Sequence, residues 1–541
     1  MRSFVAFALI CLLVTPAIGP SVAAGPESTP TATDPSIHAI YPNPVAGGDT
    51  GEFVVLDVPE RTGLSRYALS DGQSTVTLPN ETVTGTVALT AAPDAVRPLV
   101  DHPVVALPDH PELANSGERV RLVTDGETID SVRYTDATEG DIGVVAGSTI
   151  RWRPLGASDR PVVTAGRGSV RAFTLPDAPD APLEPLRTAE SRVLLAGYTL
   201  TSERVADALI AAKRRGARVR VLLEGDPVGD RTRAEARTLD RLVKAGVEVR
   251  MIAGPRARYR YHHAKYAVAD GRAVVLTENW KPAGTGGNSS RGWGVATEQP
   301  SVVEGLATTF RADAGWRDAT RWQSYRRGRQ FERGERAVGS YPRRFEPTSI
   351  PVERTELLVT PDNAQQRLIE TIDDADRRIA VVQPTVGGWD EPLLRAVRRA
   401  AQRGVEVRLL LSDAWYVREE NRATVERFRE WADRTDSPLS ARVADPAGRY
   451  EKIHAKGAVV DDRVVAGSLN WNEQAATTNR EVVLLLHGSE VASYYREVFD
   501  ADWQGGRSGL PLELLGIGLG VGIVAVLALR RVEFAETVGR G

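Results

Sequence analysis

The chain carries one pattern twice. Residues 191–225, "SRVLLAGYTLTSERVADALIAAKRRGARVRVLLEG", read as strand, helix, Arg-Gly stop and strand. Residues 376–413, "DRRIAVVQPTVGGWDEPLLRAVRRAAQRGVEVRLLLSD", read the same way. In the first copy, Thr201 or Ser202 starts the helix and Gly216 ends it; Gly404 stands at the equivalent place in the second. A period near 190 residues is too long for a solenoid, so the repeat implies two similar α/β domains.

Each copy leads into a second matching segment. "HAKYAVADGRAVVLTENW", residues 263–280, and "HAKGAVVDDRVVAGSLNW", residues 454–471, align without gaps at an offset of 191 and share ten of eighteen residues. His263 pairs with His454, Lys265 with Lys456, Asp270 with Asp461, and Asn279 with Asn470; Thr277 falls opposite Ser468. The chain has only six lysines against 62 arginines (Lys plus Arg is 68), and four of the six lie in or beside these segments. Arginine does not replace lysine freely where a compact ammonium is needed.

The spacing has a structural meaning. Histidine and lysine two apart on a strand project to one face. A turn at Asp270 or Asp461 returns a second strand with hydroxyl and amide again two apart, Thr277 with Asn279 and Ser468 with Asn470. Imidazole, ammonium, hydroxyl and amide together make a receptor for a phosphoryl group, the donors holding its nonbridging oxygens where charge builds up. Histidine can attack phosphorus or protonate a leaving oxygen. One set is half a mechanism. Two halves packed about a pseudo-twofold axis supply a nucleophile and a general acid. The lysines provide the positive charge, and no acidic or histidine cluster is spaced for a metal, so neither metal nor other cofactor is expected. His262 is one residue out of phase with His263 and should face the other side. Asp270 and Asp461 read more readily as turn-fixing residues than as proton carriers. Trp280 and Trp471 read as packing residues, and His487 as structural.

The paired segments resemble the HxKx4D signatures of the phospholipase D superfamily. "HAKYAVAD" and "HAKGAVVD" both fit, followed by that family's GSxN as "GSLN" and, altered, as "LTEN". The resemblance covers residues 176–507. It implies a mixed α/β fold per half, a phosphohistidine intermediate on one histidine, often the N-terminal one (here His263), and acid/base work by the other. It also implies a supporting acid beyond the second motif, where "TNREVVLLL" offers Asn479 and Glu481. The first half has no clear counterpart; Glu298 is the nearest. Five residues separate the aspartate from the GSxN position in both halves, one fewer than usual, and Leu276 and Thr277 replace Gly and Ser in the first.

The flanks differ in kind. "FVAFALICLLV" after Arg2, followed by small residues to Ala24, reads as a secretory signal, residues 1–24. The only cysteine, Cys11, lies inside it, so a mature chain would have no disulfide. Residues 25–35 are a Pro/Thr/Ser-rich linker. Residues 36–175 alternate short β-branched runs with Gly, Pro, Asn and Asp, an all-β sandwich pattern. "IYPNP", "GEFVVL", "LSDG", "LANSGE" and "DSVRY" resemble the lamin-tail domain, which implies an immunoglobulin-like sandwich serving as a binding or spacing module; His38, His102 and His110 there read as surface or satisfied residues. The halves then span 176–322 and 351–507, joined by an arginine-rich connector, 323–350. Residues 510–531 form an apolar run closed by Arg530 and Arg531, long enough for one transmembrane helix with a short cytoplasmic tail.

The expected protein is thus multidomain and held on the outer face of a cell membrane. Both half-sites lie in one chain, so a monomer would be an active unit. Net charge is −3, so bulk charge does not argue for nucleic acid. Three functions follow: a phospholipase D-type phosphodiesterase acting on phospholipid head groups, an extracellular nuclease with the same site, or a non-catalytic surface protein with a decayed first half.

Overall fold

The computed structural model describes residues 34–506 except 110–111, 148, 254–256 and 335–336. The signal at 1–24, most of the linker, the apolar run at 510–531 and His110 lie outside the described residues. Among the described residues no helix is long and apolar enough to cross a membrane.

The N-terminal region is two packed sheets. The six-stranded one runs Thr149–Pro154, Asp141–Ala146, Ser36–Tyr41, Phe53–Gly63, Thr82–Thr90 and Val104–Ala106 in spatial order. The four-stranded one runs Thr75–Thr77, Tyr67–Ser70, Arg119–Thr124 and Glu127–Arg133. Alternate residues of both, among them Ile40, Val54, Leu56, Leu69, Val120 and Leu122, meet in one core. His38 lies on the surface against Asp57, and His102 is exposed.

The sandwich ends at Pro154, and the expected boundary at 175 is corrected. Strand Val163–Ala165 pairs with Arg354–Val359 in the second half. Strand Gly168–Leu175 lies between Ser290–Thr297 and Thr348–Val352. The reason is burial on both faces: Val170 and Ala172 enter one α/β core and Phe173 another, which an edge of a solvated sandwich would not provide. The connector is corrected in the same way. Tyr325 and Phe331 pack into the first half, Arg326 and Arg329 pair with Asp240 and Asp226, and the connector's end joins strand Thr348–Val352.

Each half repeats one topology. Three parallel strands (Arg192–Gly197, Arg218–Glu224 and Glu248–Ile252; then Arg378–Gln383, Glu406–Leu411 and Leu439–Val443) lie beside an antiparallel hairpin. The hairpins are Tyr266–Ala269 with Arg272–Leu276, and Gly457–Val460 with Arg463–Gly467. Helix Glu203–Arg214 starts where Ser202 Oγ accepts the Val205 amide, and Gly216 then takes a left-handed φ of 106°. One face of each sheet is covered by its own helices. The other faces meet in a central core through Pro300–Gly315 and Ser489–Gln504, with Leu306, Phe310, Tyr495 and Phe499 buried.

Two buried arginines lock the halves reciprocally. Arg291 of the first half pairs with Asp177 and with Asp502 of the second, and its guanidinium lies 4.9 Å from the Tyr450 ring centroid. Arg480 of the second half pairs with Asp362 and with Asp313 of the first, 4.5 Å from the Tyr259 centroid. The backbones follow suit. Arg291 carbonyl accepts the His454 amide, and Arg480 carbonyl accepts the His263 amide, so each histidine strand is stitched to the opposite half.

Candidate active site

That stitching delivers both histidines to one cleft, at the end of the sheets where the parallel strands finish. His263 and Lys265 precede strand Tyr266–Ala269; His454 and Lys456 precede Gly457–Val460. Lys265 Nζ donates to the His263 carbonyl at 2.6 Å, and Lys456 Nζ to the His454 carbonyl at 2.7 Å. Lys456 Nζ also lies 3.2 Å from Nδ1 of the His454 imidazole.

The imidazoles are oriented by acids. His263 Nδ1 lies 2.8 and 3.0 Å from the two oxygens of Glu481, a residue of the opposite half. Asn479 Nδ2 donates to the same carboxylate at 3.1 Å. This leaves His263 Nε2 as the free nitrogen. His454 Nδ1 donates to the Thr277 carbonyl at 3.1 Å and lies 3.3 Å from Glu278 Oε2, again across the half boundary. Glu278 is the residue sequence reasoning missed. The expected Glu298 is an exposed residue paired with Arg272 and takes no part in the cleft. The signal for Glu278 was visible only as an odd letter in "LTEN".

Electrostatics follow from burial. Desolvation holds both imidazoles down, each to about 4; Glu481 and Glu278 oppose this, while Lys265 and Lys456 reinforce it. Burial likewise lowers Lys456 to about 8, against the pull of Glu278 and Glu481, and lowers Lys265 strongly. Burial alone would raise the Glu481 carboxyl, but His263 and Lys265 outweigh it and hold it low. Lys456 is close enough to depress His263, and Lys265 to depress His454, so the two half-sites form one electrostatic unit. A phosphodiester anion bound beside the imidazoles favours uptake of one proton by one of them.

The other expected residues divide. Asp270 and Asp461 sit outside the cleft. Both adopt left-handed turns (φ 52° and 51°), and their carboxylates accept the amides of 190–192 and 376–378 respectively. They are fold-fixing. Thr277 and Ser468, read as phosphate ligands, are fully buried, and their hydroxyl oxygens accept the amides of Trp293 and Val482 at 2.9 and 3.0 Å. They tie adjacent strands together, and Ser468 also helps hold the Glu481 carboxylate low. Asn279 and Asn470 are half-buried, and Asn279 Oδ1 has no hydrogen-bond partner. His262 lies out of the cleft, buried 3.6 Å from Asp313. Trp280 donates to the Ala196 carbonyl and Trp471 is buried, both as packing residues. His487 is paired with Glu356. Tyr198, also missed, sets its ring edge-on to His263 at 4.8 Å. Among the described residues no three His, Cys, Asp or Glu side chains gather in a metal-binding group.

Two His-Lys strands, each oriented by a carboxylate from the opposite half, define a two-histidine phosphodiesterase. The family described as "Cardiolipin synthase, PLD-like domain" matches residues 183–314 and 368–503. A mitochondrial cardiolipin hydrolase of Xenopus tropicalis is 30% identical over 166 residues, 30% of this chain and 71% of the relative. That of Mus musculus is 32% identical over 111 residues, 20% of this chain and 45% of the relative. Among solved structures, a phosphatidylserine synthase of Haemophilus influenzae Rd KW20 overlays at a TM-score of 0.46 and 14% identity, covering 62% of this chain and 84% of that one. The chain belongs to the phospholipase D superfamily and is a phospholipase D-like phosphodiesterase.

Proposed function

We propose that the protein cleaves phospholipid phosphodiesters at a bilayer surface. The observation that carries this reading is the placement of exposed apolar side chains. The exposed large hydrophobics among the described residues are Val228, Val338, Trp415 and Tyr416, at 75%, 84%, 81% and 49% exposure. All stand outside regular helices and strands. The Val228 amide donates to the Tyr198 hydroxyl, and Tyr198 packs on His263. Trp415 and Tyr416 contact each other, and Lys452 Nζ lies 5.2 Å from the Tyr416 centroid, two residues before His454. Gly339, beside Val338, accepts from Asn288 at the start of the strand that pairs with Lys452. Trp and Tyr with a neighbouring lysine suit the polar–apolar boundary of a membrane. Gly506 donates to Asp445, in the loop leading to His454, and the apolar run at 510–531 follows it closely in sequence. We read that run as an anchor holding the catalytic region on the outer face. The names of the cardiolipin hydrolase relatives agree with a lipid diester.

In the reaction, His263 Nε2 attacks phosphorus and the bond to the head-group oxygen breaks. That oxygen takes a proton from the His454 imidazolium. Water then attacks phosphorus, its proton passes to His454 Nε2, and the N–P bond breaks to free the phosphomonoester and His263. Lys265 and Lys456 hold the nonbridging oxygens throughout.

The test compares vesicles of cardiolipin and phosphatidylglycerol, a soluble short-chain diester and single-stranded DNA. Release of water-soluble product from vesicles is expected, with DNA intact. Trp415→Ser with Tyr416→Ser should slow vesicle cleavage about tenfold or more, the cost of one large side chain left in water, and leave the soluble diester unaffected. Cleavage of DNA with intact vesicles would replace the lipid reading by a nuclease.

A further inference from the structure

The two halves correspond in two registers. Across the histidine hairpin the offset is 191, which sets Glu278 opposite Leu469. Past the next loop it is 189, as the backbone pairing establishes. Leu276 pairs with Gly294 as Gly467 pairs with Val483. The Thr277 amide donates to Trp293 as that of Ser468 donates to Val482, and Arg291 accepts from His454 as Arg480 accepts from His263. Gly292 is therefore the counterpart of Glu481, and the acid position of the first half holds no side chain. That volume is not empty. A Cβ on Gly292 would overlap Cγ of Glu278 and fall 2.9 Å from its Oε1.

We propose that Glu278 is the positioning residue of His454, and that Glu278 with Gly292 is a reciprocal exchange of Leu469 with Glu481 that moves the orienting carboxylate to the neighbouring strand and keeps its role. The proposal deepens the phosphodiesterase reading and rests on it. Glu278 is almost fully buried, its Oε2 is 3.3 Å from His454 Nδ1, and its Oε1 has no hydrogen-bond partner. A buried carboxylate so placed needs a polar hydrogen, and the Nδ1–H of His454 is the one it faces. The altered "LTEN" is then a working rearrangement and not decay. The exchange also makes the histidines unequal. His263 is backed by both oxygens of a carboxylate, itself held by Asn479. His454 Nδ1 donates to the Thr277 carbonyl and has a single carboxylate oxygen beside it, at 3.3 Å. The stronger backing suits the nucleophile, the weaker the acid.

The test uses the full chain with Glu278→Gln, Glu278→Leu and the double variant Glu278→Leu/Gly292→Glu. One readout needs no substrate: the downfield Nδ1 proton resonances of His263 and His454, observed with labelled histidine. Glu278→Gln should move the His454 resonance upfield and leave that of His263 in place; the double variant should restore it. The other readout is cleavage of two diesters, one losing an alkyl alcohol and one losing nitrophenolate, which leaves without a proton. Glu278→Gln and Glu278→Leu should slow the alkyl diester about 10²-fold and the nitrophenyl diester far less. The double variant should recover most of the alkyl rate. An unmoved His454 resonance in Glu278→Gln, or equal slowing of both diesters, overturns the proposal. So does a double variant that melts like the parent yet behaves like Glu278→Leu. If the parent cleaves neither diester while the His454 resonance still follows Glu278, the phosphodiesterase reading fails and the exchange stands.

Discussion

Lys456 is buried among groups of both signs, and burial holds its ammonium at about 8, below the ordinary lysine range. The sign of the consequence is plain. Below about pH 8 Lys456 is charged and binds a phosphodiester; above it the charge is lost. The ratio kcat/KM should therefore fall as pH rises through about 8, with KM rising first, since this ratio reports the free enzyme. A profile flat to pH 10 would remove Lys456's charge from the mechanism. His263 and Lys265, and His454 and Lys456, are legible from sequence because a two-residue spacing on a strand fixes a shared face and an internal copy confirms the register. The same logic makes Thr277 and Ser468 phosphate ligands. The neighbouring strand's amides engage their hydroxyl oxygens, and no spacing within one segment predicts that.

At the scale of the hairpin, Asp270 and Asp461 each satisfy three amides of the chain just before the first parallel strand. They join the catalytic hairpin to the strand beside it. Asp461→Ala should cost roughly 2–3 kcal/mol, from the lost charge-assisted bonds and a left-handed turn without its aspartate. Urea unfolding checks this. The loss of kcat should be small at temperatures where the variant stays folded; a large loss there would give Asp461 a chemical role. Sequence alone groups the strands at 163–165 and 168–175 with the sandwich, because short strands carry no mark of their partner. Arg354–Val359 is almost 200 residues from the first of them.

At the scale of the whole molecule, the reciprocal arginines tie the two halves together beside their shared core. Arg480→Met should leave Asp313 and Asp362 buried with their main cation gone, costing about 3–5 kcal/mol. Because residues 478–481 also carry Glu481 and accept the His263 amide, activity should fall with the interface even below the melting temperature. A variant with wild-type Tm and activity would show that the halves do not depend on this pair.

The sequence by itself determined the duplication, the α/β class of each half, the His-Lys pairs and the turn aspartates. Each is written in local periodicity or in one segment's likeness to another, and local spacing is enough to say which side chains share a face. The tertiary structure alone decided which acid serves which histidine. Glu481 reaches His263 and Glu278 reaches His454 across the boundary between halves, and Glu278 does so through a two-residue change of register. Such contacts depend on how two sheets dock, and docking is fixed by buried pairs more than a hundred residues apart.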